Sequence, residues 1–241
     1  MAAQQAVLCL FKLLTLTPVL AMKFQDLLGR QRDVLSTLKG AMTLIRDPEK
    51  TDSVYDIEDG LQHIEATRLA VEFAKSQPGV APLFEERYLA PSPDIAALLQ
   101  LPPESLGYAY ASYITNAGFD PNFYRKAEVT DDITYFLMRM RQTHDIWHIV
   151  TNFGVDVMGE LGLKAFELAQ VRRPLAAMLV AGSVIETLLK KPAAMDMLLN
   201  VIPNGYRMGT QAQPLLAQKW EENWEKPLAD WRSQLGVKLG A

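Results

Sequence analysis

Two of the three histidines in this chain stand four residues apart, in the run His144-Asp145-Ile146-Trp147-His148, and this spacing restricts fold and chemistry together. An α-helix turns about 100° per residue, so positions 144, 145 and 148, with Arg141 one turn earlier, share roughly a 100° arc. The remaining faces of the segment carry Phe136, Met138, Met140, Ile146, Trp147, Ile149 and Val150. A stripe of imidazole and carboxylate groups on such a helix is costly to bury unless something compensates it, and a divalent cation does so. Histidines at i and i+4 offer two ring nitrogens to one ion, and Asp145 can reach the same point. After His148 come eleven residues and then Glu160, in the first turn of a helix predicted over about 160–171. If that helix is an antiparallel neighbour, its carboxylate returns to the histidines. His144, Asp145, His148 and Glu160 then form a donor set of two nitrogens and two oxygens, suited first to zinc and also to iron, cobalt or manganese. Four protein ligands would close the site as a structural staple, whereas three plus a water make a catalytic one. The spacing leaves Asp145 open between ligand and base. The bland alternative is a solvated His/Asp pair with a Glu favoured only by the helix dipole.

Composition narrows the alternatives. A single cysteine, Cys9, excludes an internal disulfide and all multi-cysteine metal sites, so any ion here takes nitrogen and oxygen ligands. With 24 basic and 28 acidic residues the net charge is −4, and no Lys/Arg-rich run is present, which argues against nucleic-acid binding. A chain of 241 residues accommodates one core without a second domain.

Along the chain the periodicity is helical and no stretch alternates as a strand. Residues 1–22 contain an apolar run interrupted by Lys12 and Pro18, too short for a spanning helix, and predict a core, subunit or membrane-surface contact. Residues 23–241 are expected to form one helical domain. Helices are predicted over 23–46, about 51–76, about 93–100, 103–117, about 131–153, about 160–171 and 174–189, with a loop-rich connection over 77–92. Gly154 is expected to stop the histidine-bearing helix. His63 is expected to be structural or solvated, and Tyr108, Tyr110 and Tyr113 to pack a surface. The 174–189 helix, apolar with several small residues, suits either the core or an apolar cavity for a long tail. Trp220, Trp224, Leu228, Trp231 and Leu235 are placed on one helical face, kinked at Pro227. The expected fold is all-α: a single-domain multi-helix bundle with a metal site between two neighbouring helices and an apolar cavity.

The run Arg141-Gln142-Thr143-His144-Asp145-x-x-His148, eleven residues and Glu160, then Gly162-Leu163-x-Ala165-Phe166-x-Leu168-Ala169-Gln170, resembles the Coq-four family of coenzyme Q biosynthesis proteins. Leu101-Pro102 to Leu106-Gly107, Tyr110, Pro214-Leu215-Leu216 and Trp220 to Leu228 add to the likeness, which covers roughly residues 50–237. The resemblance implies His144, Asp145, His148 and Glu160 as metal ligands. It further implies a role in making a prenylated quinone, at the ring carbon where a carboxyl group is lost and a hydroxyl installed. A prenylated lipid or quinone precursor, other enzymes of quinone synthesis and a membrane surface are the implied partners, and a homodimer is expected. The absence of a recognisable transit peptide suggests a prokaryotic member, cytoplasmic and peripheral to the membrane.

Within this reading Arg141 is a candidate catalytic or substrate-binding residue, able to clamp a carboxylate or phosphate, or else to orient Asp145 or Glu160. Asp145 is a candidate catalytic base. Two rivals stand beside the enzyme: a non-catalytic prenyl-lipid scaffold with a structural metal, and a metallohydrolase. The last is disfavoured because Asp145 is one methylene shorter than the Glu base of His-Glu-x-x-His proteases.

Overall fold

The structure, a computed structural model, describes residues 52–239, so the expected 1–22 and 23–46 segments lie outside the described residues. Ten α-helices follow in order: α1 (Asp52–Leu61), α2 (Glu65–Lys75), α3 (Val80–Glu86), α4 (Ile95–Leu98), α5 (Leu106–Ala117), α6 (Asp132–Thr151), α7 (Val157–Val171), α8 (Pro174–Lys190), α9 (Met195–Gln211) and α10 (Leu228–Leu235). Short 3₁₀ turns occupy Pro192–Ala194, Leu215–Ala217 and Trp220–Glu222. No strand occurs among the described residues, in keeping with the all-α expectation.

Helix α6 runs through the middle of the core. Tyr135, Phe136, Ile146, Trp147 and Val150 are all 1% exposed or less, and the rings of Trp147 and Phe166 meet edge-on at 5.8 Å. A capping box starts the helix: the Asp131 carboxylate accepts from the Thr134 amide at 2.8 Å, and the Thr134 hydroxyl accepts from the Asp131 amide at 3.0 Å. Asn152, in the left-handed region at φ 61°, ends it two residues before the expected Gly154. Asparagine tolerates that conformation, so it competes with glycine for the role.

Helices α7 and α9 make the most extensive contact in the fold. Its basis is the absence of side chains on one face of α9. A Cβ at Gly205 would stand 2.1 Å from the Gly162 carbonyl oxygen, and one at Gly209 would stand 2.6 Å from that of Phe166. Backbone therefore lies against backbone, which fixes α7, and with it Glu160, against a rigid neighbour.

Three expected elements differ. The predicted 51–76 helix is two helices, because Ile64 turns extended (φ −83°, ψ 150°) and the Thr67 hydroxyl donates to the Leu61 carbonyl at 2.8 Å, satisfying the end of α1. His63 lies in that break, exposed, as expected of a solvated residue. The 77–92 connection contains α3, whose Pro82 sits in the first turn where a missing amide costs nothing. The tryptophan-rich end is α-helical only from Leu228, after the 3₁₀ turn at Trp220–Glu222. Residues 224–228 instead run beside 104–107, with the Leu106 amide donating to Lys226 at 2.9 Å and the Leu228 amide to Glu104 at 2.8 Å. Trp220 and Trp231 still pack together, with ring centroids 4.6 Å apart.

A chain of alternating charges links α1, α6, α7 and α8. Arg141 pairs with Glu58 at 2.5 Å and Asp59 at 3.1 Å, Glu58 also pairs with Arg173, Arg173 with Glu167 at 2.7 Å, and Glu167 with Lys164 at 2.9 Å. Glu58, Arg141, Glu167 and Arg173 are buried. Removing one member of such a set strands its partner as an uncompensated charge.

Two outcomes follow from this packing. Gly205→Ala forces α7 and α9 apart and is expected to cost about 1–3 kcal/mol, read as a lower urea midpoint. Arg141→Ala is expected to cost about 1–3 kcal/mol by removing one of the two arginines on buried Glu58 and leaving Arg173 alone to offset it, whereas a purely substrate-binding arginine would leave the midpoint unchanged.

Candidate metal centre

The turn between α6 and α7 brings the motif together. His144 and His148 lie one helical turn apart on α6, with their rings edge to face at 4.7 Å and their Nε2 atoms 3.2 Å apart. His148 is 2% exposed, and His144 is partly exposed. Asp156 caps α7 by accepting from the amides of Met158 and Gly159, which sets Glu160 in the first turn. From there Glu160 Oε1 lies 3.1 Å from His148 Nε2, and Oε2 lies 3.9 Å from His144 Nε2. The three ligand atoms all fall within 4.8 Å of one another. Two nitrogens bound to one ion at about 2.0–2.1 Å with tetrahedral angles stand roughly 3.3 Å apart, close to the observed spacing.

The protonation pattern points the same way. His148 Nδ1 lies 3.0 Å from the Phe153 carbonyl oxygen. A carbonyl only accepts, so Nδ1 carries the proton and Nε2 faces Glu160 and His144. A lone pair aimed at a carboxylate and a second imidazole is tolerable only with positive charge between them, whether a proton or a metal ion. Burial works to lower the His148 imidazole, but the hydrogen bond and charge of Glu160 and the Phe153 carbonyl outweigh it and hold it above its usual value. The surroundings of Glu160 oppose its charge even though its side chain is 41% exposed. Hydrogen bonds and charge from His144 and His148 overcome that and keep its carboxyl well below the usual carboxylate range. The donor set thus fits a divalent ion.

Asp145 is not among the three groups that converge. It is partly buried and lies toward α5, where burial and then its negative charge push the phenols of Tyr110 and Tyr113 upward. Tyr113 stacks on His148 with centroids 6.4 Å apart and also feels Glu160. Tyr110 packs on Trp224 at 5.1 Å. Of these tyrosines, read from the sequence as surface packers, Tyr113 lies against the centre and Tyr110 is buried behind it in the core; their i, i+3 spacing on one helix was the available signal. Asp156, an N-cap residue just before an apolar run, was equally legible.

Arg141 stands apart from the trio. Its guanidinium donates to Glu58, to Asp59 and to the Arg125 carbonyl at 2.8 Å, and it lies over the Tyr55 ring at 4.8 Å. It is 8% exposed, so its donors are committed to the protein rather than turned toward an incoming anion.

Comparison with known proteins accords with these observations. The profile of "Coenzyme Q (ubiquinone) biosynthesis protein Coq4" matches residues 26–240. Mitochondrial ubiquinone biosynthesis proteins of this kind are similar over long stretches. The Talaromyces marneffei protein is 32% identical over 58% of this chain and 49% of its own length. The Coprinopsis cinerea protein is 25% identical over 85% and 71% respectively. The Eremothecium gossypii relative is 30% identical over 62% of this chain, which spans about half, 46%, of that protein. A crystal structure from Nostoc punctiforme PCC 73102, assigned provisionally to ubiquinone biosynthesis, superposes with a TM-score of 0.79 at 35% identity. That alignment covers 87% of this chain and 99% of the other. The profile match over nearly the whole length, together with the shared fold, shows that the chain belongs to the Coq4 family of coenzyme Q (ubiquinone) biosynthesis proteins.

Proposed function

We propose that this chain acts in prenylated-quinone biosynthesis as a metal-dependent protein that replaces a ring carboxyl group of a prenylated hydroxybenzoate by a hydroxyl. The observation that carries the reading is the convergence of His144 Nε2, His148 Nε2 and a Glu160 carboxylate oxygen on one point. Two imidazoles and one carboxylate are the donor set of catalytic zinc sites and of non-haem iron(II) oxygenation sites, both of which keep a position for substrate or water. A bound ion would supply Lewis acidity toward the substrate carboxylate or oxygen chemistry, according to its identity.

The chain's own residues contribute the rest. Asp145, beside the ligands but outside the converging group, serves as the proton acceptor or orients a bound water. Tyr113, stacked on His148, covers the buried side of the centre, while His144 and Glu160 keep it open to an incoming substrate on the other. Arg141 enters as a support of α6. The overall conversion is ArCOOH + O₂ + 2e⁻ + 2H⁺ → ArOH + CO₂ + H₂O, so it consumes dioxygen and a two-electron reductant drawn from outside the chain.

A lipid substrate is supported by the far end of α8 and by α9. Ile185, Leu188, Leu189, Met197 and Leu199 are 53–76% exposed, although their sequence is as apolar as the core. Among the described residues no helix is long and apolar enough to cross a membrane. Peripheral contact with a membrane, a second copy of the chain or other quinone-synthesis proteins is the use proposed for that surface.

Elemental analysis of the purified protein is expected to find about one divalent ion per chain, and His148→Ala is expected to lose it while keeping a helical circular dichroism spectrum. Asp145→Asn is expected to retain the ion yet to lower conversion of a prenylated hydroxybenzoate by roughly 10²–10⁴-fold. An unchanged rate in Asp145→Asn, with metal bound, removes the base from the mechanism. Wild-type protein that binds no divalent ion removes the centre altogether.

A further inference from the structure

We infer that Phe153 is a positioning residue of the metal centre, acting through its carbonyl on His148 and through its ring on the helix that carries Glu160. The inference rests on the reading of His144, His148 and Glu160 as ligands, and it concerns what holds them at a common point.

The ligands lie on two helices joined by a short turn, so their separation depends on how that turn is held. Asn152 takes a left-handed conformation and the chain leaves α6; Phe153 then presents its carbonyl oxygen 3.0 Å from His148 Nδ1. That contact selects the ring form whose Nε2 is free to bind. The ring of the same residue is seated against Gly162, two residues beyond Glu160. A Cβ built at Gly162 would stand 2.5 Å from Phe153 Cε1 and 2.6 Å from Cδ1, so the seat exists only because residue 162 has no side chain.

The other side of Gly162 is equally closed. Its carbonyl oxygen lies 2.1 Å from where a Gly205 Cβ would be, so α7 cannot retreat from the ring without being driven into α9. At the near end of the turn, a Cβ on Gly159 would stand 2.1 Å from the Gly154 carbonyl oxygen, and the loop itself is thereby pressed onto α7. One residue thus sets both the tautomer of one ligand and the distance to another. Packing alone would seat the ring but would leave the carbonyl without a consequence for the imidazole.

The test combines Phe153→Ala, Gly162→Ala and the double variant. Zinc(II) affinity is measured by competition with a chelator, cobalt(II) absorption reports ligand geometry, and imidazole nitrogen chemical shifts of the metal-free protein at alkaline pH report the tautomer. Wild-type His148 is expected in the Nδ1–H form. Each single variant is expected to bind zinc about 10–100-fold more weakly, the scale for lost outer-sphere support, with a mixed tautomer and an altered cobalt spectrum. In the double variant the new methyl occupies the vacated seat, so its loss is expected to be smaller than the product of the single losses.

Wild-type affinity in both single variants, independent effects in the double variant, or an Nε2–H tautomer in the wild type would each overturn the inference. If the wild type shows the expected tautomer but takes up no zinc or cobalt, the metal reading fails while the Phe153 contact stands. If Gly162→Ala does not fold, Phe153→Ala, which only removes atoms, decides the matter together with the wild-type tautomer.

Discussion

A buried imidazole with both nitrogens engaged is the constraint on which the arrangement turns. His148 has almost no access to water, and its environment answers each ring nitrogen differently: a neutral carbonyl receives the proton of Nδ1, while an anion and a second imidazole confront Nε2. Such a disposition is unfavourable in a low-dielectric interior unless positive charge resides among the three groups. Much of the surrounding architecture can be understood as the means of keeping that charge-requiring geometry fixed. Long α6 provides one rigid rail and α7 the other, held by glycine-to-backbone contact with α9. The turn between them is short and pinned by the contacts around Phe153.

The features legible in the residues were those with strong periodicity or strong spacing. The helical class, α6, α7 and the pairing of His144 and His148 with Glu160 follow from the 3.6-residue period and from the rarity of histidine. Boundaries were legible only where the chemistry is local. Asp131 and Pro174 announce helix starts, but the stop at Asn152 competes with Gly154, and both satisfy the same backbone requirement. The break at Gln62–Ile64 carries no glycine or proline; a hydroxyl three residues on, Thr67, makes it possible. The turned, non-helical course of residues 224–227 depends on hydrogen bonds with the 104–107 segment, over a hundred positions earlier, which no local window contains.

Arg141 shows the limit of reading a function from an arc. Its side chain shares a helical sector with the ligands, as the spacing requires, yet a long flexible guanidinium goes where compensating charge lies. That charge is supplied by Glu58 and Asp59 on α1, far away in sequence. Conversely, Asp145 shares the arc yet stays outside the converging trio, because a short side chain follows its Cα–Cβ direction, about 100° round the helix from that of His144. Sector position constrains a short residue more tightly than a long one.

The chain of alternating charges from Asp59 through Arg141, Glu58, Arg173 and Glu167 to Lys164 has a consequence for the working environment of the protein. Mobile counterions weaken charge pairs that water can reach, over a distance of about 8–10 Å at ordinary ionic strengths, but they do not enter a packed interior. The struts made by Glu58 with Arg141 and Arg173, and by Glu167 with Arg173, therefore feel little of the salinity outside, whereas the solvent-facing Asp59 end of the chain is the part that electrolyte reaches.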